Sequence, residues 1–312
     1  MDPVTATTGS RSPAERRLKS LLMHDPISYF QGVVIGLAQG VSELFPISSL
    51  GHAVVMPRLF GWDIHQNDKF FIAFLVAVHL ATAIVLLGFF WRDWVRIAKG
   101  LWRSLQNREI GDDADARLGW LLVVGTIPAG ILGLALDSPL RSVFASAQSA
   151  AIFIFINGLL LFAFEHLRRR APGERETDPD EDRRIAHRVS WRQAAVVGGA
   201  QSLALIPGIS RSGITMGGGL ISGLNNRDAA RFGFLLATPI IFAAAALKLP
   251  ELLGKEGDGV RGPALVAALC AALSAYLSVR FLMRYFETNR LTPFAIYCCV
   301  AGAALSIGFA VT

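Results

Sequence analysis

Charge is what this chain has least of. Only 17% of its 312 residues are Asp, Glu, Lys or Arg, against 53% hydrophobic, where a soluble domain carries about 25% charged residues. Cysteine is scarce as well. Cys270, Cys298 and Cys299 all fall inside apolar stretches, which excludes a disulfide framework and any cysteine-based metal spacing. The first 26 residues lack an apolar run and carry Arg11, Arg16, Arg17 and Lys19, so no cleaved signal peptide is expected. The net charge of +6 comes without zinc-finger spacing, an aromatic RNA-binding signature or a long basic helix. Nucleic acid is therefore not an expected partner, and the basic loops of a membrane protein account for the charge.

What the chain does have is long uncharged runs. Residues 70–91, 118–136, 147–164, 232–247, 263–279 and 291–311 contain no Asp, Glu, Lys or Arg. Each approaches the roughly 20 residues that a helix needs to cross a hydrocarbon core, so six transmembrane helices are expected. The connector at 92–117 holds six Lys/Arg, and that at 168–192 holds eight Arg among six carboxylates, which reads as a solvated loop. The connectors at 137–146 and 250–262 hold only one and two. The positive-inside rule places the two rich connectors in the cytoplasm.

Two further apolar stretches are broken. Residues 28–57 are interrupted by Gln39, Glu43, Pro46, Ser48, Ser49 and His52, and residues 193–224 by Gln201, Pro207, Gly208, Ser210, Arg211 and Ser212. Each reads as two half-length helices around a break, the pattern of a re-entrant hairpin. Sliding 36–51 by 162 positions onto 198–213 matches Gly36, Ala38, Gln39, Ile47, Ser48 and Gly51 with Gly198, Ala200, Gln201, Ile209, Ser210 and Gly213. Three spans follow each hairpin, and an odd number of crossings inverts the second copy. The expected fold is thus an all-α polytopic membrane protein: six transmembrane helices plus two re-entrant helical hairpins, as an inverted-topology repeat with the breaks meeting near the midplane. Its parts are a polar segment at 1–26, a first repeat at 27–167, the charged loop at 168–192 and a second repeat at 193–312. This topology puts the N-terminus outside despite its four basic residues.

Ionisable groups in such stretches are informative. A charge at the centre of a membrane helix costs at least about 2.5–3.5 kcal/mol, and Glu43 and Arg211 both sit in that zone. A structural ion pair is the plain explanation, but their neighbours are polar too. Gln39 and Glu43 are four apart and share a helix face; two oxygen-bearing side chains suit a hard cation, Mg²⁺ or Ca²⁺. Ser49 and His52 are spaced as nucleophile and base, or as a phosphate donor pair, although that spacing alone is a weak signal. In PGISRSGIT (207–215) the helix restarts with Ser210 as N-cap, and a helix N-terminus attracts anions. Arg211 adds a fork for phosphate oxygens, Ser212 and Thr215 add hydroxyls, and Gly213 permits close approach. Ser48 opens the corresponding restart in the first stretch. His79 reads as a packed or interface residue rather than a ligand, and Asn157 and Thr126 as interhelix hydrogen-bond partners.

These motifs resemble those of the undecaprenyl-diphosphate phosphatases of the bacitracin-resistance type. The likeness runs from about residue 27 onward and rests on Gln39-to-Glu43 leading into PISSLGH and on PGISRSGIT. It implies a multi-pass enzyme of the bacterial cytoplasmic (inner) membrane that uses a divalent cation. The implied reaction converts undecaprenyl diphosphate to the monophosphate and phosphate, recycling the lipid carrier of cell-wall synthesis. By resemblance, Glu43 is the essential carboxylate, with Gln39 beside it near the metal. Ser49 and His52 match the alternative nucleophile and base, and Ser48, Ser210, Arg211, Ser212, Gly213 and Thr215 the phosphate-binding set. Gln39 departs from the family, where many members have Glu; an amide ligates a cation but adds no charge. A second lipid-phosphatase type needs His six positions after Arg211, and position 217 is Gly. The rival reading is a polyprenyl-phosphate transporter or flippase, because inverted repeats with broken helices also build transporters. Whether the chain acts alone or as a homodimer is left open.

Overall fold

Ser28 and Gln31 cap the first of the described helices reciprocally, each side chain accepting the other's backbone N–H. The helix they start, α1 (Tyr29–Leu44), stops before Pro46, and α2 (Ser49–Phe60) restarts the chain. Then follow α3 (Lys69–Phe89), α4 (Trp91–Asn107), α5 (Ala114–Phe144), α6 (Ala147–Arg168) and the short α7 (Glu181–Arg188). The second half consists of α8 (Trp191–Ala200), a 3-10 turn (Gln201–Leu205), α9 (Arg211–Ile221), α10 (Asn226–Leu253), α11 (Arg261–Tyr285) and α12 (Thr292–Val311). This computed structural model describes residues 27–64, 69–144, 146–168, 180–254 and 259–311, and holds no strand among them. The segment 1–26 lies outside the described residues.

Among the described residues six helices are long and apolar enough to cross a membrane: Phe70–Phe89, Ala114–Leu136, Ala147–Arg168, Asn226–Lys248, Arg261–Tyr285 and Thr292–Val311. They coincide with the six uncharged runs of the sequence. The chain is an all-helical, polytopic membrane protein.

The two broken stretches repeat their local chemistry as well as their letters. Ser190 and Gln193 form the same reciprocal cap at the start of α8 that Ser28 and Gln31 form at α1. Ser48 and Ser210 each cap the restarted helix by accepting the N–H three residues on, from Gly51 and Gly213. Both recurrences keep the 162-residue offset of the sequence match.

Small residues set the packing. In α1, Gly32, Gly36 and Gly40 recur every four residues and lie on Pro263, Ala267 and Ala271 of α11, so close that an added Cβ at Gly36 or Gly40 would overlap backbone. The two helices therefore run in parallel at backbone contact, as small-residue ladders permit in membranes. In the second half, Gly198 of α8 lies in the same way on Gly125 of α5.

The basic connectors depart from a plain loop reading. Residues 91–107 form α4, a helix that the sequence reading did not expect, and part of 168–192 forms α7. Asp182 of α7, only 1% exposed, accepts from Arg96 of α4 and from Arg231 of α10, the latter at 2.8 Å. Arg231 also reaches Asp93 and Glu181, and Arg184 makes a paired contact with Asp228 at 2.7 Å. Buried guanidinium and carboxylate groups tolerate such sites only when paired. We predict that Asp182→Ala, which leaves Arg231 short of its most buried partner, lowers stability by on the order of 3 kcal/mol. A fall in the thermal midpoint of the purified protein in detergent reads this, and an unchanged midpoint would contradict it.

Candidate active site

Pro46 and Pro207–Gly208 interrupt the two broken stretches, and the structure joins the interruptions into one junction. Ser48 has φ 72°, a left-handed value that costs a serine energy and persists only under constraint. The constraint is visible: its Oγ accepts from the Gly51 N–H and from the Gly208 N–H of the other stretch, both at 3.2 Å. Gly208 is itself at φ 110°, and a Cβ on Gly51 would lie 2.8 Å from the Gly208 Cα, so glycine is required on both sides. The Ser212 hydroxyl donates to the Phe45 carbonyl at 3.2 Å.

Asn157 of α6, 1% exposed, clamps the junction from behind. Its Nδ2 donates to the Pro46 carbonyl and its Oδ1 accepts the Ser210 N–H, each at 2.9 Å. The expected interhelix role is thus found for Asn157. Thr126 instead donates to Leu122 of its own helix at 2.7 Å.

At this junction α1 ends and α9 begins, which brings Glu43 and Arg211 together. The Arg211 guanidinium donates to Glu43 Oε1 and, at 3.2 Å, to the Ala237 carbonyl of α10. Glu43 Oε2 accepts from the Ser49 hydroxyl and from Gln39 Nε2 at 3.0 Å, and lies 3.3 Å from His79 Nε2. His79 Nδ1 is 2.7 Å from the Leu75 carbonyl, which only accepts, so Nδ1 carries a hydrogen. Nε2 then donates to the carboxylate when the ring holds its second proton. One carboxylate is thus encircled by four side chains from α1, α2, α3 and α9.

Glu43, Ser49, His79 and Arg211 line a cavity of about 560 Å³ whose other walls are mostly apolar, among them Leu75, Leu134, Ile240 and Leu247. The walls come from the first half of the α3 span and the second halves of the α5 and α10 spans. Each of those halves is remote from the basic connectors that α4 and α7 occupy. The cavity therefore runs from the buried ion pair toward the opposite face.

Of the site residues expected from sequence, Glu43, Ser48, Ser49, Ser210 and Arg211 line the cavity. Gln39 is 2% exposed; its amide nitrogen is on Glu43 and its Oε1 is buried without a partner. The other three phosphate-set residues are engaged within the protein. Ser212 bonds Phe45, Thr215 bonds the Arg211 and Ser212 carbonyls at 3.0 and 3.2 Å, and Gly213 donates to its cap. The Ser49–His52 pairing is not formed. His52 binds the Ser48 carbonyl through Nδ1 at 2.7 Å and the Tyr297 hydroxyl through Nε2 at 2.8 Å, away from the cavity lining.

Two residues enter that the sequence reading passed over. The sequence reads His79 as a packed or interface residue, yet its Nε2 faces Glu43; an ionisable residue inside a span is the available signal. Gln201, 4% exposed, lines the cavity with neither amide atom partnered. Its signal was the match to Gln39.

The clamp makes a measurable prediction. Asn157→Leu leaves the Pro46 carbonyl and the Ser210 N–H buried and unpaired, at about 1–3 kcal/mol each. Backbone hydrogen exchange at 45–52 and 206–212 should accelerate selectively in this variant. Unchanged protection there would show that Asn157 does not hold the breaks.

Comparison with known proteins identifies the family. The family profile described as Bacitracin resistance protein BacA matches residues 32–304. A protein of Mycolicibacterium paratuberculosis named undecaprenyl-diphosphatase is 50% identical over 295 residues, covering 89% of this chain and 96% of its own. Undecaprenyl-diphosphatase 2 of Frankia alni is 43% identical over 344 residues, covering 93% and 100%. The undecaprenyl-diphosphatase of Granulibacter bethesdensis is 43% identical over 284 residues, covering 89% and 96%. Likeness of this extent, across both broken stretches and all six spans, makes the chain a member of the BacA bacitracin-resistance family.

Proposed function

We propose that this chain hydrolyses undecaprenyl diphosphate to undecaprenyl phosphate and inorganic phosphate in the bacterial cytoplasmic membrane. The observation that carries the reading is the pair of buried Glu43 and half-buried Arg211, with Ser49 on the same carboxylate, at the polar end of an apolar cavity. A diphosphate on a long hydrocarbon tail has that polarity: headgroup at the junction, prenyl units along the apolar walls. The names of the relatives speak for hydrolysis over transport.

Arg211 is the phosphate-gripping group. Its fork suits phosphate oxygens, and the start of α9 adds a positive dipole end. Ser49 is the attacking hydroxyl and Glu43 its base, an assignment supported by their hydrogen bond. Ser49 Oγ forms the bond to the terminal phosphorus, its proton passes to Glu43, and the bridging oxygen leaves with the lipid monophosphate. Water then cleaves the phosphoserine and restores the hydroxyl. His79 holds Glu43 from the side opposite Arg211, and His52 supports the Ser48 turn.

A divalent cation, Mg²⁺ or Ca²⁺, belongs to the reading. Among the described residues no group of three or more His, Cys, Asp or Glu is arranged for a metal. The available set is Glu43 with the unpartnered Oε1 of Gln39. These are hard oxygen donors that fit such a cation, with one negative charge, so substrate oxygens must complete the shell. When bound it would neutralise charge on the phosphates, the main demand of phosphoryl transfer.

The finer architecture belongs to the same proposal. The shared offset of caps and breaks supports two inverted repeats with re-entrant hairpins at 28–57 and 193–224. The position of the cavity, remote from the basic connectors, supports a site that opens to the outer face. One chain supplies every group named, so no second copy is required.

The test is phosphate release from purified protein given undecaprenyl diphosphate, with Mg²⁺ and with EDTA. Arg211→Ala and Glu43→Ala should each abolish release while the protein still folds, and EDTA should silence the wild type reversibly. Normal turnover in either variant would remove this mechanism, and no release by the wild type would remove the activity.

A further inference from the structure

Helix α4 presents three faces. Ile97, Gly100 and Ser104 are buried against the protein, and a Cβ at Gly100 would lie 2.5 Å from the Ala116 nitrogen at the start of α5. A second stripe is apolar and exposed: Trp91, Val95, Trp102 and Leu105 are 56%, 40%, 63% and 57% exposed. A third stripe, Arg92, Arg96, Lys99 and Arg103, runs beside it at spacings of four, three and four. Residues at those spacings share one helix face.

Chain connectivity fixes where this helix lies. It begins two residues after one span ends at Phe89 and packs on the first turn of the span that begins at Ala114. It is thus tied at one face of the membrane at both ends. An aqueous position would leave two tryptophans in water, and a position within the bilayer would bury four cations in hydrocarbon. A helix lying in the membrane interface satisfies both stripes.

The basic stripe is not uniform. Arg96 is held by Asp93 and Asp182, and Arg103 by Asp113 at 2.6 Å. Arg92 and Lys99 have no carboxylate partner among the described residues, and Arg92 stacks on Trp91 at 5.7 Å. Seven residues apart, they stand about 10 Å apart along the axis, on the edge of the stripe nearest the apolar face. Cations so placed, unpaired and at headgroup depth, complement anionic phosphates.

We propose that α4 lies in the membrane interface and that Arg92 and Lys99 bind the headgroup phosphates of anionic phospholipids. This goes beyond the phosphatase reading and stands without it. The full chain is reconstituted in mixed phosphatidylcholine–phosphatidylglycerol vesicles, with the bromine label on the acyl chains of one lipid or the other at equal bromine content. Tryptophan quenching should be stronger with brominated phosphatidylglycerol, and the excess should vanish in Trp91→Phe/Trp102→Phe. In Arg92→Gln/Lys99→Gln, checked for an unchanged thermal midpoint, the excess should fall roughly tenfold. Equal quenching by the two lipids would overturn headgroup binding, as would an excess that survives Arg92→Gln/Lys99→Gln. Quenching by either lipid that is unaffected by Trp91→Phe/Trp102→Phe would overturn the interfacial placement.

Discussion

A carboxylate and a guanidinium from opposite halves of the chain, 168 residues apart in sequence, meet inside an apolar helical bundle. Neither Glu43 nor Arg211 could be buried alone at acceptable cost, because an unpaired buried charge destabilises by several kcal/mol. Their pairing therefore requires the end of α1 to lie beside the start of α9. The close approach of Gly51 to Gly208, the left-handed Ser48 and the Asn157 clamp all serve that requirement. Strain at Ser48 is tolerated because two N–H groups, one from each stretch, hold its hydroxyl oxygen.

The same pair is the centre of the proposed chemistry. The Glu43–Arg211 contact satisfies both charges within the protein, and the proposed mechanism exchanges the guanidinium from it to a phosphate. In the proposed mechanism Arg211 turns to the diphosphate, while Glu43 keeps Ser49, Gln39 and His79 around it and would serve as base and cation ligand. Helix packing at glycine ladders keeps these elements close without filling the cavity between α3, α5 and α10. With the tail in that cavity, as proposed, binding energy from the prenyl chain is separated in space from the reacting phosphates.

Much of the fold was legible because membranes impose simple rules. Six uncharged runs became six spans, and the Pro46 and Pro207–Gly208 breaks restarted helices at Ser48 and Ser210. Glu43 and Arg211 stood out because charge is costly there. What sequence could not supply was direction. Ser-x-x-His suggested that Ser49 and His52 act together, but a strained cap turns His52 toward Tyr297. Likewise Ser212 and Thr215 are one turn apart yet bond backbone carbonyls. His79 was hidden because a single imidazole in an apolar run is compatible with packing, and only the tertiary contact of α3 with α1 reveals its partner. Helix α4 was masked by its charges, since a loop and an interfacial helix have the same composition.

The proposed mechanism turns on a division of labour between the two charges: Arg211 to grip the phosphates, Glu43 to act in the chemistry and to restrain Arg211 through their contact. The most direct measurement is the affinity of a non-hydrolysable methylene-bridged prenyl diphosphonate for Glu43→Gln and Arg211→Gln, without divalent cation. Glu43→Gln should bind as tightly as the wild type or more tightly, because its arginine is released, whereas Arg211→Gln should bind at least roughly tenfold more weakly. Equal loss of affinity in the two variants would contradict it.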